Sequence, residues 1–127
     1  MFALNALAQL LAEAGVLDEA GRFAARAVEA APTNANALDT CGWILLRQDR
    51  VEEAIETLTR ASRLMPDHPV LHYHLGRAYL RAGREVPARR ALERATMLST
   101  TFPERAEALR LLGRSEGAAP AAPAVEP

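Results

Sequence analysis

Lysine is absent from this chain, and cysteine occurs once. The basic side chains are therefore all arginine, and 15 of them stand against 16 acidic ones for a formal net charge of -1. A domain that binds nucleic acid usually carries a marked positive excess, so we predict no nucleic-acid partner. The single cysteine, Cys41, excludes an internal disulfide and a cysteine-based zinc site. It falls among apolar residues, which predicts a buried, unreactive thiol.

Long apolar runs and strand-forming residues are scarce as well. No apolar stretch approaches the roughly 20 residues that a transmembrane helix needs, so direct membrane insertion is not expected. The N-terminal residues show no basic region followed by a hydrophobic stretch, unlike a signal peptide. Aromatic residues make up 5% of a chain that is 50% hydrophobic, because alanine and leucine supply most apolar side chains. Both residues favour helix, and the sequence predicts an all-α protein.

An internal repeat with a period of 34 residues runs along the chain, as Ala20, Ala54 and Ala88 show. Five further columns follow the same step: Ala27, Ala61 and Ala95; Leu7, Cys41 and Leu75; Ala8, Gly42 and Gly76; Leu11, Leu45 and Tyr79; and Ala24, Leu58 and Leu92. A fixed period of this length indicates helical units that stack on one another to bury a shared core.

Each repeat contains two segments with helical apolar spacing, separated by a short break. Gly15 and Gly83 stand in two of these breaks, where glycine can adopt the left-handed conformation that ends a helix. Asp18 is the predicted N-cap of the helix that follows the first break. Pro32 and Pro66 are predicted to end the second helices, because proline removes a backbone donor and clashes with the preceding turn.

Small residues recur where the two helices of one repeat must approach closely. The first helices contribute Ala8, Gly42 and Gly76, which we expect to face Ala20, Ala54 and Ala88 on the second helices. A larger side chain at these positions would push the helices apart, at a cost of about 1–3 kcal/mol.

The second repeat shows the whole pattern most clearly, in Leu38, Cys41, Gly42, Leu45, Ala54, Leu58, Ala61 and Pro66. This pattern resembles the consensus of the tetratricopeptide repeat (TPR) family, and the resemblance extends from residue 1 to about 113. It implies a right-handed α-α superhelix, a solenoid of three helix-turn-helix repeats at about residues 1–34, 35–68 and 69–102. It also implies a protein-binding scaffold rather than an enzyme, and the arginine-only, alanine-rich composition suits a bacterium.

The third repeat departs from the consensus, because Thr100 replaces the proline and Pro103 follows it. We predict a fresh capping helix over residues 103–113, with Pro103 in its first turn, Leu109 and Leu112 covering the last repeat, and Gly113 ending it. The TPR domain is then residues 1–113. Residues 114–127 are rich in alanine and proline and are predicted to be disordered.

Catalysis and metal binding find little support in the sequence. No glycine-rich phosphate loop follows a strand, and no serine has the spacing of a nucleophile elbow. His68, His72 and His74 form the one cluster that suggests a metal. However, His68 precedes the helix and His72 holds an apolar consensus position. We predict no catalytic residue, no cofactor and no metal site.

The TPR resemblance implies a concave groove lined by the first helix of each repeat, which binds a peptide or protein segment. Its predicted binding residues are Asn5, Gln9, Asp39, Thr40, Trp43, Arg47, Tyr73, His74, Arg77 and Arg81, with Glu13 and Asn36 beside them. Trp43 is predicted to lie near Tyr73 or His74, although it could instead pack between adjacent first helices. The lysine and arginine positions of chaperone-tail clamps lack a cation here, so we do not expect such a clamp.

Three alternatives remain open from the sequence. Residue 1 already lies within the repeat phase, so we expect a fragment whose N-terminal side lacks a polar cap and presents an apolar edge at Phe2. The repeats would then assemble with a second copy or with upstream repeats. The chain could also be a regulatory appendage of a larger enzyme. Finally, it is similar to TPR lipoproteins of bacterial exopolysaccharide export and PEP-CTERM systems, which implies envelope assembly. The compartment, bacterial cytoplasm or periplasm, stays undecided.

Overall fold

The computed structural model describes residues 2–117, with side chains over residues 2–113. Those residues form helices and turns without a strand, and the helices are α1 (Phe2–Glu13), α2 (Leu17–Ala30), α3 (Ala35–Arg47), α4 (Val51–Leu64), α5 (Pro69–Arg81), α6 (Glu85–Leu98) and α7 (Arg105–Gly117). The first six pair as the three predicted repeats. Within this part of the chain, none of the helices combines the length and apolar character needed to cross a bilayer.

The chain divides into two compact units, Met1–Asp67 and His68–Pro127. In the first unit α1 packs against α2, α2 against α3, and α3 against α4, while α1 also touches α3. In the second unit α6 packs against both α5 and α7. The boundary between the units therefore falls at the end of the second predicted repeat.

The first helix of each repeat is followed by one residue with positive φ. Gly15 has a φ of 83° and Gly83 a φ of 77°, as predicted, and Asp49 takes the equivalent place with a φ of 66°. Asp49 lies 34 residues from each glycine, and aspartate is among the few residues that tolerate the left-handed region. The predicted N-cap at Asp18 is wrong. Val16 precedes α2 without a side-chain cap, and Asp18 lies in its first turn.

Close approach of paired helices explains the glycines of α3 and α5. A Cβ placed on Gly42 would lie 2.5 Å from Leu58 Cγ, and one on Gly76 would lie 2.6 Å from Leu92 Cγ. Leu58 therefore supplies the nearest atoms to Gly42, while a Cβ on Gly76 would also lie 3.3 Å from the backbone carbonyl oxygen of Ala88, its predicted neighbour.

In the first repeat, different side chains stand at the positions where the paired helices approach closely. Ala8 and Ala24 stand where the second repeat has Gly42 and Leu58, and both alanines lie in the core of the first unit. The larger first residue is thus matched by a smaller second one.

The C-terminal helix departs from the prediction at both ends. It begins at Arg105, two residues after Pro103, and continues through Gly113 to Gly117. Residues 114–117, which were assigned to the tail, are thus helical, and residues 118–127 of that tail lie outside the described residues. A glycine inside a helix costs only about 1 kcal/mol, which burial of neighbouring leucines can offset.

The buried face of α7 also differs from the predicted one. Ala108, Leu111 and Leu112 are buried, whereas Leu109 is 44% exposed. Their spacing of three and four residues places the three buried residues on one side of the helix. Leu109 therefore does not cover the last repeat, and Leu112 does.

Candidate functional site

The predicted binding residues of the first unit gather where α1 and α3 touch. Gln9 Nε2 on α1 donates a hydrogen bond to Thr40 Oγ1 on α3 over 3.2 Å. Thr40 is buried, while Gln9 is exposed and Asp39 is half-buried. This bond joins two side chains that the sequence assigned to the binding surface and holds the two first helices in register.

These residues line a pocket of about 240 Å³, which we call the α1–α3 pocket. Its walls are formed by Phe2, Asn5, Gln9, Asn34, Asn36, Asp39 and Thr40. Four of the lining side chains are amides, one is a hydroxyl, one is a carboxylate and one is an aromatic ring. The pocket is thus rich in hydrogen-bonding groups, and Asp39 supplies its formal charge.

Asn34 is a pocket residue that the sequence analysis missed. Its Oδ1 accepts a hydrogen bond of 2.9 Å from the Ala37 backbone N–H and thereby caps α3. An asparagine directly before a helical segment is a signal for an N-cap. That signal could have placed Asn34 at the start of α3 and therefore at the pocket edge.

Asn5 carries a buried acceptor in the pocket wall. Its Oδ1 is shielded from solvent and has no hydrogen-bond partner within the protein. A buried polar group left unpaired costs about 1–3 kcal/mol. Asn5 Oδ1 therefore carries an unmet hydrogen-bonding cost inside the protein.

Arg47 is anchored rather than aimed at the pocket. Its Nη1 donates to the Ala12 carbonyl over 2.7 Å near the C-terminal end of α1, and the same carbonyl also accepts from the Gly15 N–H over 3.0 Å. The adjacent Gln48 donates from Nε2 to the Leu17 carbonyl over 3.0 Å. The C-terminal end of α3 is thus hydrogen-bonded to both α1 and α2. Arg47 therefore has a structural role that the sequence did not indicate.

Two of the four predicted binding residues of the second unit are buried. Tyr73 is 4% exposed and packs in a core with Phe102 and with Leu111 and Leu112 of α7. Contrary to the prediction, Tyr73 is therefore a core residue rather than the lining of an open groove. His74 is also buried, at 8% exposed.

Arg77 contacts Tyr73 and Glu107 of α7 in the same region. Its Nη1 donates to Tyr73 Oη over 2.8 Å and lies 3.9 Å from Glu107 Oε2 on α7. Burial raises the pKa of Tyr73, although the Arg77 charge opposes that shift, so the phenol is the protonated form at neutral pH. Arg81 is exposed.

Trp43 is half-buried on α3, and its predicted approach to Tyr73 or His74 stays a prediction. Cys41 is half-buried rather than fully buried, and desolvation raises the pKa of its thiol. Cys41 is therefore a protonated, weakly nucleophilic thiol at neutral pH. Among the residues whose positions are described, no three His, Cys, Asp or Glu side chains are grouped so as to hold a metal ion.

Comparison with known proteins gives one family match. The model of a tetratricopeptide repeat family matches residues 45–112, more than half of the chain. No curated protein sequence matches the chain.

Several solved structures share the fold. The type III secretion translocator chaperone SycD of Yersinia enterocolitica is 16% identical, with a TM-score of 0.84 over 92% of this chain and 83% of its own. PcrH in complex with the chaperone binding region of PopD is 18% identical, with a TM-score of 0.82 over 92% and 91%. The first TPR of Spaghetti (RPAP3), bound to the HSP90 peptide SRMEEVD, is 18% identical, with a TM-score of 0.85 over 94% and 93%. At these identities the likeness concerns the fold, and it confirms the predicted all-α architecture of helical repeats.

Proposed function

Because the chain belongs to the tetratricopeptide repeat family, we propose that it is a scaffold, rather than an enzyme, that binds a peptide or protein segment at the first unit. The α1–α3 pocket is the observation that carries this proposal. It gathers Asn5, Gln9, Asp39 and Thr40, four of the predicted binding residues, on one surface.

The chemistry of the pocket suits an extended polypeptide. Amide side chains offer both donors and acceptors, which is what the N–H and C=O groups of a peptide backbone require. PcrH holds a region of PopD, and the Spaghetti (RPAP3) domain holds a seven-residue peptide, on the same fold. Those complexes support a peptide as the class of ligand without identifying the partner of this chain.

The size of the pocket argues in the same direction. Its volume of about 240 Å³ lies below the roughly 300–1,000 Å³ of sites that enclose a small molecule. It is large enough for a side chain with its flanking backbone. We therefore propose that the pocket holds one or two residues of a longer segment.

Asn36→Ala tests this proposal with little risk to folding, because Asn36 is exposed in the first turn of α3. A peptide is first selected from a phage-displayed library of random 12-residue sequences on the wild-type protein. We expect the variant to bind that peptide about threefold to tenfold more weakly, the effect of one lost hydrogen bond. Isothermal titration calorimetry measures the affinity.

Glu56→Ala is the matched control, since Glu56 is also an exposed polar residue and lies on α4. It should bind the peptide as the wild type does. Equal losses in both variants, or a library that yields no specific peptide, would contradict the proposed function.

Self-association is a second candidate function, favoured by the outer face of α1, which we define as Ala3, Leu7 and Leu10. These residues lie on one side of the helix and are exposed, Leu10 by 63%. Ile44, the equivalent of Leu10 one repeat later, is only 1% exposed because it packs in a core with residues of α2.

The outer face of α1 is therefore exposed at a helix position, that of Leu10, which is buried in the second repeat at Ile44. We propose that a second copy covers it through its own outer face, in a two-fold arrangement in which both partners offer the same patch. Sedimentation velocity should then show a concentration-dependent dimer. Leu10→Gln should weaken that dimer about tenfold or more, because burying a leucine contributes about 1.5–3 kcal/mol.

Met97→Gln provides the comparison, since Met97 is an exposed apolar residue on α6. It should leave the dimer unchanged. A wild-type protein that stays monomeric over a wide concentration range would rule out this second function.

A further inference from the structure

We propose that the outward side of α6 binds the same side of α6 in a second copy, with the two helices antiparallel. The surface consists of Val86, Arg90, Glu93 and Met97, and we call it the α6 stripe. Its members are four, three and four residues apart, so they lie on one side of the helix. The proposal goes beyond the peptide-binding function, and it concerns a different helix from the outer face of α1.

The α6 stripe lies opposite the buried side of its helix. Val86 is 61% exposed and Met97 is 85% exposed, and the two charged members of the stripe are exposed as well. The buried residues of α6 are Ala88, Ala91, Leu92 and Ala95. Packing of α6 in the second unit therefore leaves the whole stripe accessible to a partner.

Comparison with α2 and α4 shows that the repeat does not require apolar residues at the two ends of the stripe. The positions of Val86 and Met97 hold exposed, charged residues one and two repeats earlier, namely Asp18, Glu29, Glu52 and Arg63. Among these three second helices, α6 alone has large apolar side chains there. Exposed apolar groups bordered by charges are typical of a surface that contacts a partner.

The order of the residues in the stripe identifies the partner as a second copy. When two copies of α6 pack antiparallel about a point halfway between residues 91 and 92, residue 86 faces residue 97 and residue 90 faces residue 93. Val86 then contacts Met97 of the second copy, and Arg90 faces its Glu93. Two-fold symmetry produces both contacts twice. A parallel arrangement would instead place equal charges opposite each other, so the stripe is complementary to itself only when antiparallel.

The two charges of the stripe are free to pair with a second copy. Over residues 2–113, the side chains of Arg90 and Glu93 form neither an ion pair nor a hydrogen bond. Arg50 and Glu53, which have the same spacing at the start of α4, are by contrast paired over 2.8 Å. Exposed ion pairs add little to the strength of a contact but determine its orientation and partner.

The small size of the stripe indicates a weak contact. One side of a 14-residue helix offers less than the roughly 800 Å² that each partner of a stable complex buries. Two apolar side chains per copy supply most of the favourable free energy. We therefore expect association at protein concentrations of about 0.1–1 mM.

The experiment records nuclear magnetic resonance spectra of the ¹⁵N-labelled chain as its concentration is raised to about 1 mM. Every sample carries Leu10→Gln, so that association through the outer face of α1 contributes little. The amides of α6 should shift with concentration. Val86→Gln combined with Met97→Gln should remove most of these shifts. Arg63→Gln, at the position of Met97 on α4, should leave them unchanged.

Reversal of one charge tests the antiparallel arrangement. Arg90→Glu gives a stripe with two acidic residues and Glu93→Arg a stripe with two basic ones, so each variant alone should associate about tenfold more weakly or less. Unlabelled Glu93→Arg added to labelled Arg90→Glu should restore the shifts in α6, because each acidic residue then faces a basic one. An ion pair within one helix cannot explain this recovery, since neither variant can form it.

Each result bears on the proposal. Concentration-dependent shifts that are absent from α6, or that persist without Val86 and Met97, overturn it. A mixture of the two charge variants that associates no better than either variant alone excludes the antiparallel contact and overturns it too. Binding of a selected peptide at the α1–α3 pocket is measured separately, so failure here leaves the proposed function untouched.

Discussion

The two compact units use equivalent helix positions in opposite ways. Asp39 on α3 and Tyr73 on α5 are one repeat apart, yet Asp39 lines an open pocket and Tyr73 lies in a core. Phe102 and the leucines of α7 enclose Tyr73 in the second unit. In the first unit the surface of α1 and α3 carries amides and a carboxylate, and a pocket remains open there. The repeat position alone therefore does not decide whether a residue can meet a ligand; the next packed helix does.

Weakening the packing of α7 on the second unit should have the largest effect on the free energy of unfolding. Leu111→Ala deletes a buried side chain of α7 that packs in the Tyr73 core. We expect a loss of about 2–5 kcal/mol in the free energy of unfolding, from lost apolar burial and the cavity left behind. Urea denaturation followed by circular dichroism measures it.

Leu109→Ala is the control in the same helix. Leu109 is largely outside the core, so its truncation should cost well under 1 kcal/mol. If both leucine variants lose equal stability, α7 does not enclose Tyr73 as described.

Adding a methyl group where the paired helices approach closely, in either unit, should have an intermediate effect on the free energy of unfolding. Gly42→Ala brings a Cβ to within 2.5 Å of Leu58 Cγ, and Gly76→Ala creates the same conflict with Leu92 at 2.6 Å. Each is expected to lower the free energy of unfolding by about 1–3 kcal/mol. Similar losses would show that the two units share this packing device even though their binding surfaces differ.

The double variant Gly42→Ala with Leu58→Ala sharpens this test, because it recreates the arrangement of Ala8 and Ala24 in the first repeat. We expect its loss of stability to be smaller than the sum of the two single losses, by about 0.5–3 kcal/mol. Strict additivity in the denaturation data would mean that Gly42 and Leu58 do not contact each other.

The repeat period explains how much of the fold could be predicted from the sequence. Columns 34 residues apart constrain one another, so the six paired helices and the left-handed glycines Gly15 and Gly83 follow from them. The same column contains Asp49, and its positive φ could have been predicted. Because α7 belongs to no column, its helical phase had no such constraint, and the choice of Leu109 as a covering residue was wrong.

The candidate site could be predicted only in part. Spacing places Asn5 and Thr40 on first helices, but it does not show which of these surfaces another helix covers. Tyr73 was misread because its burial depends on Phe102 and on Leu111, which stand outside the repeat period. The bond of Arg47 to the Ala12 carbonyl depends on the end of another helix, which spacing within one repeat does not reveal.

The most direct test of this account is to map where a selected peptide binds, by nuclear magnetic resonance of the ¹⁵N-labelled chain. The backbone amides of α1 and of the first two turns of α3 should show the largest chemical-shift changes on titration. Amides of α5 near Tyr73 and Arg77 should shift little, because α7 encloses that surface. Largest shifts on α5, with α1 unaffected, would contradict the claim that the first unit carries the binding site.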